Sequence, residues 1–516
     1  MPTITLQPTN VTLAYTAQAS LRDLLFEQGV EFPCGGNGRC RGCKVRVMAG
    51  EAPLTQAELA RLSAPERAAG WRLACQLVPA GDLTLELRQW DAAILGNDAA
   101  FSFSPRPGLG VAVDLGTTTL VAQLLDLTTS QVLAVRTALN PQARHGADVM
   151  SRVSYAVQEG GAAELTELIR RQIGKLLREL LFAAQVEAAQ VNEVVIVGNT
   201  VMHHLFCAID LAPMAQYPFT PSDDGLHEFL GEALGWDFAP AVRVRFLPCL
   251  GGFVGSDILA GILATGMHRA DALVGLVDLG TNGEIVFGSH TGMLCASTAA
   301  GPAFEGARIG MGMRAAAGAI SEVKRNGAGD LTFHVLGQVA PTGICGSGLV
   351  DAVACGLEMG TLLPNGRFAD GTSEWHLLPP VTLNQTDIRQ LQLAKGAITA
   401  GIRLLLAQLG AELGDVTTLY LAGAFGNYIK RISARRIGLL PFAPEQVMPV
   451  GNSALLGAKL ALFLGNNLGS DPHNGDGGNA RFDEIRTKIH HVSLHADPQF
   501  MDTYVAEMSF PAGETV

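Results

Sequence analysis

Val111-Ala-Val-Asp114-Leu-Gly116-Thr117-Thr118-Thr119-Leu-Val121 carries an apolar strand into an Asp-x-Gly-Thr turn and out along a second apolar strand. The pattern returns at Leu276-Val-Asp278-Leu-Gly280-Thr281-Asn282-Gly283-Glu284-Ile-Val286. A second pair follows in the same order. Val194-Val-Ile-Val-Gly198-Asn-Thr-Val and Leu419-Tyr-Leu-Ala-Gly423-Ala-Phe-Gly426-Asn each read as a strand, a glycine turn and the start of a helix. One such hairpin is a turn of the kind that aspartate and glycine favour anyway. Two of them, each followed by a matching strand, indicate an α/β lobe built twice.

The chemistry follows from the turn. An aspartate ending a strand beside a tight Gly-Thr turn shares its space with backbone N–H groups and hydroxyls. Such a nest accepts phosphate oxygens, and the carboxylate suits a hydrated magnesium ion. Two facing copies would clamp a nucleotide. A G-x4-G-K-[ST] loop is absent, which excludes the P-loop solution. Helices fit between the strands: Leu165, Leu168, Ile169, Ile173, Leu176, Leu177, Leu180 and Leu181 share one helical face, and Ile388, Leu391, Ile398, Ile402, Leu405, Leu406 and Leu409 another. Both read as core helices.

The N-terminal part is different. Cys34, Cys40, Cys43 and Cys75 stand in the frame C-x5-C-x2-C-x31-C, with the first three inside Cys34-Gly-Gly-Asn-Gly-Arg-Cys40-Arg-Gly-Cys43. Three thiolates converge on an iron pair only from a tightly folded loop, and these glycines permit that backbone and bring N–H groups to the sulfurs. Structural zinc favours two C-x2-C knuckles, and this chain has one. Disulfides suit small secreted chains. The frame is ligand spacing for a 2Fe-2S cluster. It is one residue longer in its first gap than the plant-type pattern and looks more like the adrenodoxin-type and bacterial variant. Strands near 3–8 and 11–15, a helix near 18–28, and further strands at Lys44–Met48 and Leu83–Leu87 resemble the β-grasp fold of 2Fe-2S ferredoxins.

Composition bounds the rest. The 516 residues exceed one ordinary core, and two to four domains are expected. The chain is 48% hydrophobic and 16% charged, yet no stretch reaches the ~18 apolar residues of a membrane span. Met1-Pro-Thr-Ile lacks a basic region followed by an apolar run, so a cytoplasmic location is expected. A net charge of -12 argues against a nucleic-acid surface. The densest basic run, Lys430-Arg431 with Arg435-Arg436, reads as a solvated helix face. Cysteines 207, 249, 295, 345 and 355 show no metal spacing and read as buried thiols. Residues 91–109 concentrate turn formers and read as a linker, and the Gly-Asn-rich run at 465–479 reads as a loop.

The doubled hairpins resemble the superfamily of acetate and sugar kinases, heat-shock chaperone ATPases and actin. That resemblance implies a first phosphate loop of Asp114, Gly116, Thr117 and Thr118 and a second of Asp278, Gly280, Thr281, Asn282 and Gly283. It also implies an adenosine turn at Gly423 and Gly426 and a connecting motif, Gly343-Ile-Cys-Gly346-Ser347-Gly348. For activating water, Asn140-Pro-Gln142-Ala-Arg-His145-Gly-Ala-Asp148 offers Gln142 or Asp148, although Asp148 could equally cap the following helix. The expected architecture is an α+β β-grasp ferredoxin domain (1–90), a linker (91–109) and a two-lobed α/β actin-like, RNase H-like ATPase (110–260 and 261–516, with a C-terminal extension).

A ferredoxin joined to such an ATPase resembles the reductive activases of corrinoid-dependent methyltransferases, and Thr298-Ala-Ala-Gly-Pro-Ala-Phe-Glu-Gly306 and Asn140-Pro-Gln142 share that likeness. The resemblance implies a 2Fe-2S cluster, ATP and Mg2+ as cofactors. As partners it implies a corrinoid protein and an electron donor protein or reductase, with neither nucleic acid nor membrane; a homodimer is allowed. The implied reaction is one-electron reduction of Co(II) to Co(I). From a plant-type cluster near about -400 mV this runs uphill, about tenfold in equilibrium for each ~59 mV, so ATP enters the cycle. Ser297 and Thr298 could offer an oxygen to Co(II), or bond to their own backbone. Three alternatives stand beside this reading: an activator of a radical-type dehydratase or reductase, a redox-sensing kinase or chaperone-like ATPase, and a module that merely relays electrons.

Overall fold

The computed structural model describes residues 2–7, 11–15, 21–26, 44–62, 64–86, 103, 105–146, 148–280, 282–306, 308–313, 315, 318–423, 425–464 and 478–512. Near the N-terminus, β1 (Thr3–Gln7), β2 (Val11–Ala14), β3 (Lys44–Ala49), β4 (Trp71–Leu73) and β5 (Leu83–Glu86) form one mixed sheet in the order β2-β1-β5-β3-β4. β1 runs antiparallel to β2 and parallel to β5, the β-grasp arrangement. Alternation in β1 buries Ile4 and Leu6 under the helix Leu21–Phe26, whose Leu21 and Leu25 complete the same core. Glu58 is buried inside this unit. Its two carboxylate oxygens accept the N–H groups of Leu73 and Thr55, both at 2.8 Å, which ties β4 to the helix Gln56–Arg61.

The two larger sheets repeat one plan. The first contains β6 (Leu109–Leu115), β7 (Thr119–Asp126), β8 (Val132–Leu139), β9 (Val191–Gly198), β10 (His227–Leu230) and β11 (Arg243–Phe246), ordered β10-β11-β9-β6-β7-β8. After β12 (Val274–Leu279), β13 (Gly283–Ser289) and β14 (Gly292–Thr298) the chain inserts a three-stranded sheet, β15 (Ala319–Arg325), β16 (Leu331–Val335) and β17 (Gly343–Ile344), and a pair, β18 (Glu374–Leu378) and β19 (Val381–Asn384). It then returns with β20 (Thr418–Ala422), β21 (Val447–Gly451) and β22 (Ile489–His491), giving the order β21-β20-β12-β13-β14-β22. Thus β6, β7, β8, β9 and β11 correspond to β12, β13, β14, β20 and β21. In both sheets the hairpin is antiparallel and its first strand pairs parallel with the later one, β6 with β9 and β12 with β20. The two segment pairs legible in the sequence are therefore equivalent positions in two lobes.

Helices fill the layers as their periodicity requires. The expected faces lie on Ala162–Ala184 and Gln385–Gln408, where nearly all the named leucines and isoleucines are buried. Two shorter helices, Ser256–Thr265 after β11 and Ser453–Phe463 after β21, are apolar over most of their surface and sit in one core shared by both lobes. They approach backbone to backbone: a Cβ on Gly457 would lie 2.1 Å from the Ala260 carbonyl oxygen. This crossing is the joint between the lobes.

The end of the linker is fixed to both lobes. Arg106 pairs with buried Glu193 at 2.6 Å, Glu193 also pairs with Arg245, and Arg245 donates to the Ala461 carbonyl at 3.3 Å. Residues 91–102 and 465–477 lie outside the described residues. Lys430 departs from the expected solvated face: it reaches Asp351 at 2.6 Å and Glu322 at 2.8 Å, because the helix it starts packs against the helix that carries Asp351, which in turn lies on β15. The helix Phe500–Met508 closes the chain along Gln385–Gln408, where buried Lys395 donates to the Ser509 carbonyl at 2.9 Å. The ferredoxin unit rests on the second lobe. Tyr428 packs against its core, and the helix Leu21–Phe26 lies between the turn Ala74–Gln76 and the turn Leu336–Gln338. No helix among the described residues is long and apolar enough to cross a membrane.

Candidate active site

Both hairpin turns open into the cleft between the lobes. In the first, Gly116 donates to the Thr119 carbonyl at 3.2 Å, and a Cβ at Gly116 would lie 2.5 Å from that oxygen, so a side chain has no room. The loop is held from beneath. Buried Arg152 donates to the Thr117 carbonyl at 2.6 Å, and Asn140 to the Gly116 carbonyl at 3.0 Å. Asn199, capping the helix Thr200–Cys207, donates to Thr117 Oγ1 at 2.8 Å. In the second turn Gly280 donates to the Asn282 carbonyl at 3.0 Å, and Gly283 opens β13; Thr281 lies outside the described residues.

Four carboxylates from these turns and their neighbours lie near enough to feel one another's charge. Asp114 ends β6, Asp278 ends β12, Glu284 starts along β13, and Asp257 stands in the first turn of Ser256–Thr265. Burial pushes the Asp114 carboxyl up to about 6, against the lowering effect of the Asn452 hydrogen bond. Burial first, then the charge of Asp114, pushes Asp278 up to about 7. Asp257 is raised by burial and by Asp278 and Asp114; Glu284 is raised well above the ordinary carboxyl range by burial and by Asp257 and Asp278. Asp278 and Asp257 therefore oppose Asp114 and Glu284 as well as each other, and among the described residues no Lys or Arg pairs with them. A divalent cation would relieve that repulsion. No three His, Cys, Asp or Glu side chains among the described residues converge closely enough to hold an ion alone. Mg2+ keeps several waters and binds through one or two carboxylates together with substrate phosphates, so it needs no such cluster.

The turn expected to receive adenosine, Gly423 to Gly426, adjoins this cluster. Gly423 has φ +86°, and a Cβ there would lie 2.5 Å from Asp278 Oδ1. Gly426 packs under Leu421. Between them Phe425 stacks on Phe304, with ring centroids 4.9 Å apart, and a Cβ on Gly346 would meet the Phe304 carbonyl at 1.9 Å and the Phe425 ring at 3.0 Å. Ser347 Oγ donates to the Ser321 carbonyl at 2.9 Å. The connecting motif and the adenosine turn thus pack on one another.

The two water-orienting candidates are engaged elsewhere. Gln142 is fully buried; its Nε2 donates to the Leu165 carbonyl at 2.9 Å and its Oε1 accepts from Arg152 at 3.2 Å. Asp148 caps Val149–Gln158, its Oδ1 accepting from the Ser151 N–H at 2.8 Å and hydroxyl at 2.7 Å. Asp257, by contrast, was not singled out from the sequence, because Gly251-Gly-Phe-Val-Gly255-Ser256-Asp257 repeats neither hairpin motif. Its position one residue into a helix that follows a glycine-rich turn is the only local signal. Thr298 donates to the Gly283 carbonyl at 3.2 Å, the backbone use that competes with a corrinoid contact, and Ser297 stands opposite Glu284 across the β13–β14 pair.

Of the four cysteines expected to hold a cluster, Cys34, Cys40 and Cys43 lie outside the described residues. Cys75 stands half-buried in the turn Ala74–Gln76, against the ferredoxin core, and Gln76 Nε2 lies 3.7 Å from its sulfur. An N–H donor beside the sulfur is what a cluster thiolate favours. Cys207, Cys249, Cys295, Cys345 and Cys355 are free, and burial pushes each thiol up.

Residues 4–80 match the 2Fe-2S iron-sulfur cluster binding domain, 109–270 the RACo middle region, and 272–515 the C-terminal domain of RACo, the ASKHA domain. The corrinoid activation enzyme RamQ of Eubacterium limosum is 33% identical over 434 residues, spanning 78% of this chain and 71% of its own. The Co(II) methylated amine-specific corrinoid protein reductase of Methanosarcina barkeri is 26% identical over 444 residues, spanning 78% and 77%. A solved reductive activator for corrinoid, iron-sulfur protein superposes with a TM-score of 0.69 at 27% identity, covering 99% of this chain and 98% of that one.

Proposed function

Because this chain belongs to the RACo family, we propose that it is an ATP-dependent reductive activator of a corrinoid protein, passing one electron from its 2Fe-2S cluster to Co(II) to regenerate Co(I) for methyl transfer. The observation that carries the reading is the pair of strand-end aspartates from two lobes, Asp114 held by Asn452 of the other lobe and Asp278 against the Gly423 turn, in a chain that also carries a ferredoxin unit. When bound, the cluster supplies one-electron storage, and the nucleotide with Mg2+ supplies the free energy of the uphill step.

In this reading Cys34, Cys40, Cys43 and Cys75 hold the cluster. Asp114 and Asp278 would hold the hydrated Mg2+. Gly116, Thr117 and Thr118, with Gly280, Thr281, Asn282 and Gly283, present N–H groups and hydroxyls to phosphate. Gly423 and Gly426 admit the nucleoside, and Gly346 with Ser347 supports them through Phe304 and Phe425. We assign Asp257 and Glu284 the orienting of water, with Gln142 acting through Arg152, which holds the Thr117 carbonyl, and Asp148 through the helix that it caps and that carries Arg152. The units are residues 1–90, 110–260 and 261–516, joined by 91–109. The partners are the corrinoid protein of a methyltransferase system and an electron donor protein or reductase, in the cytoplasm, and a homodimer fits the same scheme.

Two variants test it. Asp278→Ala should abolish ATP turnover and leave the cluster absorption intact, and Cys40→Ala should do the reverse. Loss of both properties in either variant contradicts the assignment of separate sites on one chain.

A further inference from the structure

Two asparagines start helices at the cleft, and they differ in what they reach. Asn199 acts within its own lobe: its Oδ1 accepts from the Met202 N–H at 3.0 Å and its Nδ2 serves Thr117. Asn452 acts across the lobes. Its Oδ1 accepts from the Leu455 N–H at 2.8 Å, capping Ser453–Phe463, while its Nδ2 donates to Asp114 Oδ2 at 2.7 Å on the other lobe. No motif in the sequence marks Asn452.

A carboxylate on a strand end turns easily about its last torsion, whose preference is broad and two-fold. A donor fixes that torsion only if the donor is itself fixed. Asn452 meets this condition, because the same amide caps a helix that touches Ser256–Thr265 backbone to backbone at Gly457 and Ala260. Asn452 engages one oxygen of Asp114 and leaves Oδ1 for another partner. The helix it caps faces the helix that brings Asp257 to the cluster. Any change in the angle between the lobes must therefore act on the Asn452–Asp114 bond.

We propose that Asn452 is a positioning residue for the nucleotide-bound cation: from the second lobe it sets the orientation of Asp114, so that Mg2+ binding is favoured in one arrangement of the lobes. The proposal rests on the nucleotide-site reading given above. Serine and threonine both accept an N-cap hydrogen bond, so Asn452→Ser and Asn452→Thr retain the cap, but neither has a side-chain N–H that reaches Asp114. In the full chain, the measurements are thermal unfolding, ATP binding in EDTA, and ATP turnover against Mg2+ concentration. Asn384→Ser is the control, since Asn384 caps Gln385–Gln408 through the Thr386 and Asp387 N–H groups.

Loss of a hydrogen bond to a charged group is expected to raise the half-saturating Mg2+ about tenfold in both Asn452 variants and to lower the unfolding temperature slightly, with metal-free ATP binding unchanged. The control should keep the parent's Mg2+ requirement. An unchanged Mg2+ requirement in either folded Asn452 variant, while the parent binds and turns over Mg-ATP, overturns the role of Asn452. A parent that binds no ATP overturns the nucleotide-site reading itself.

Discussion

Asp278→Asn should make the metal-free protein more stable while destroying its turnover. The Asp278 carboxyl stands at about 7 against an ordinary 3.8, through burial first and Asp114 second. A carboxyl whose folded pKa lies above its unfolded value costs nothing below about pH 4, where both states are protonated. Its cost grows as pH rises from about 4 to about 7 and is complete above that. At about 1.36 kcal/mol for each tenfold the ceiling is about 4 kcal/mol, and solvent in the cleft reduces it to roughly 1–2 kcal/mol. Asparagine keeps the shape and removes the charge. In EDTA at pH 8, urea unfolding should show the variant about 1–2 kcal/mol more stable than the parent, and the gap should narrow at pH 5.5. Saturating Mg-ATP should reverse the order, since it binds and stabilises only the parent. A variant less stable than the parent at pH 8 without metal would refute the reasoning that these carboxylates repel one another until a cation arrives.

Gly423→Ala places a Cβ 2.5 Å from Asp278 Oδ1 at φ +86°, a conformation that costs about 1–2 kcal/mol for an L side chain; ATP affinity by equilibrium dialysis should fall about tenfold or more with the cluster absorption unchanged. Gly457→Ala forces apart the two helices joining the lobes and should cost about 1–3 kcal/mol in unfolding experiments, and an unaltered midpoint would show that the crossing is not close-packed. Tyr428→Ala removes the ring on which the ferredoxin core rests; hydrogen exchange should accelerate in Leu21–Phe26 and Leu336–Gln338, and unchanged protection at both would contradict the docking of these units.

The parts legible in the sequence are those whose pattern is local. A strand, an Asp-x-Gly-Thr turn and a second strand occupy consecutive residues, so Asp114 and Asp278 could be placed at the ends of β6 and β12 before any tertiary contact was known. The same holds for the helical faces of Ala162–Ala184 and Gln385–Gln408. What escaped depends on neighbours remote in the chain. Asp257 enters the cluster because Ser256–Thr265 follows β11 into the interlobe core, and nothing near it in sequence announces this. Lys430 belongs to a basic run, yet Asp351 and Glu322 claim it from other elements. Gln142 and Asp148 have side chains suited to orienting water, but Arg152, Leu165 and Ser151 occupy their polar atoms. Residue type shows what a group can do; packing decides which of those uses remains open.

The most direct test of the account is anaerobic absorption spectroscopy of a Co(II) corrinoid protein mixed with this chain and a chemical reductant, with and without ATP and Mg2+. The account predicts the Co(I) band only when ATP and Mg2+ are present. A reducible cluster and ATP turnover with no Co(I) band across several corrinoid proteins would contradict it.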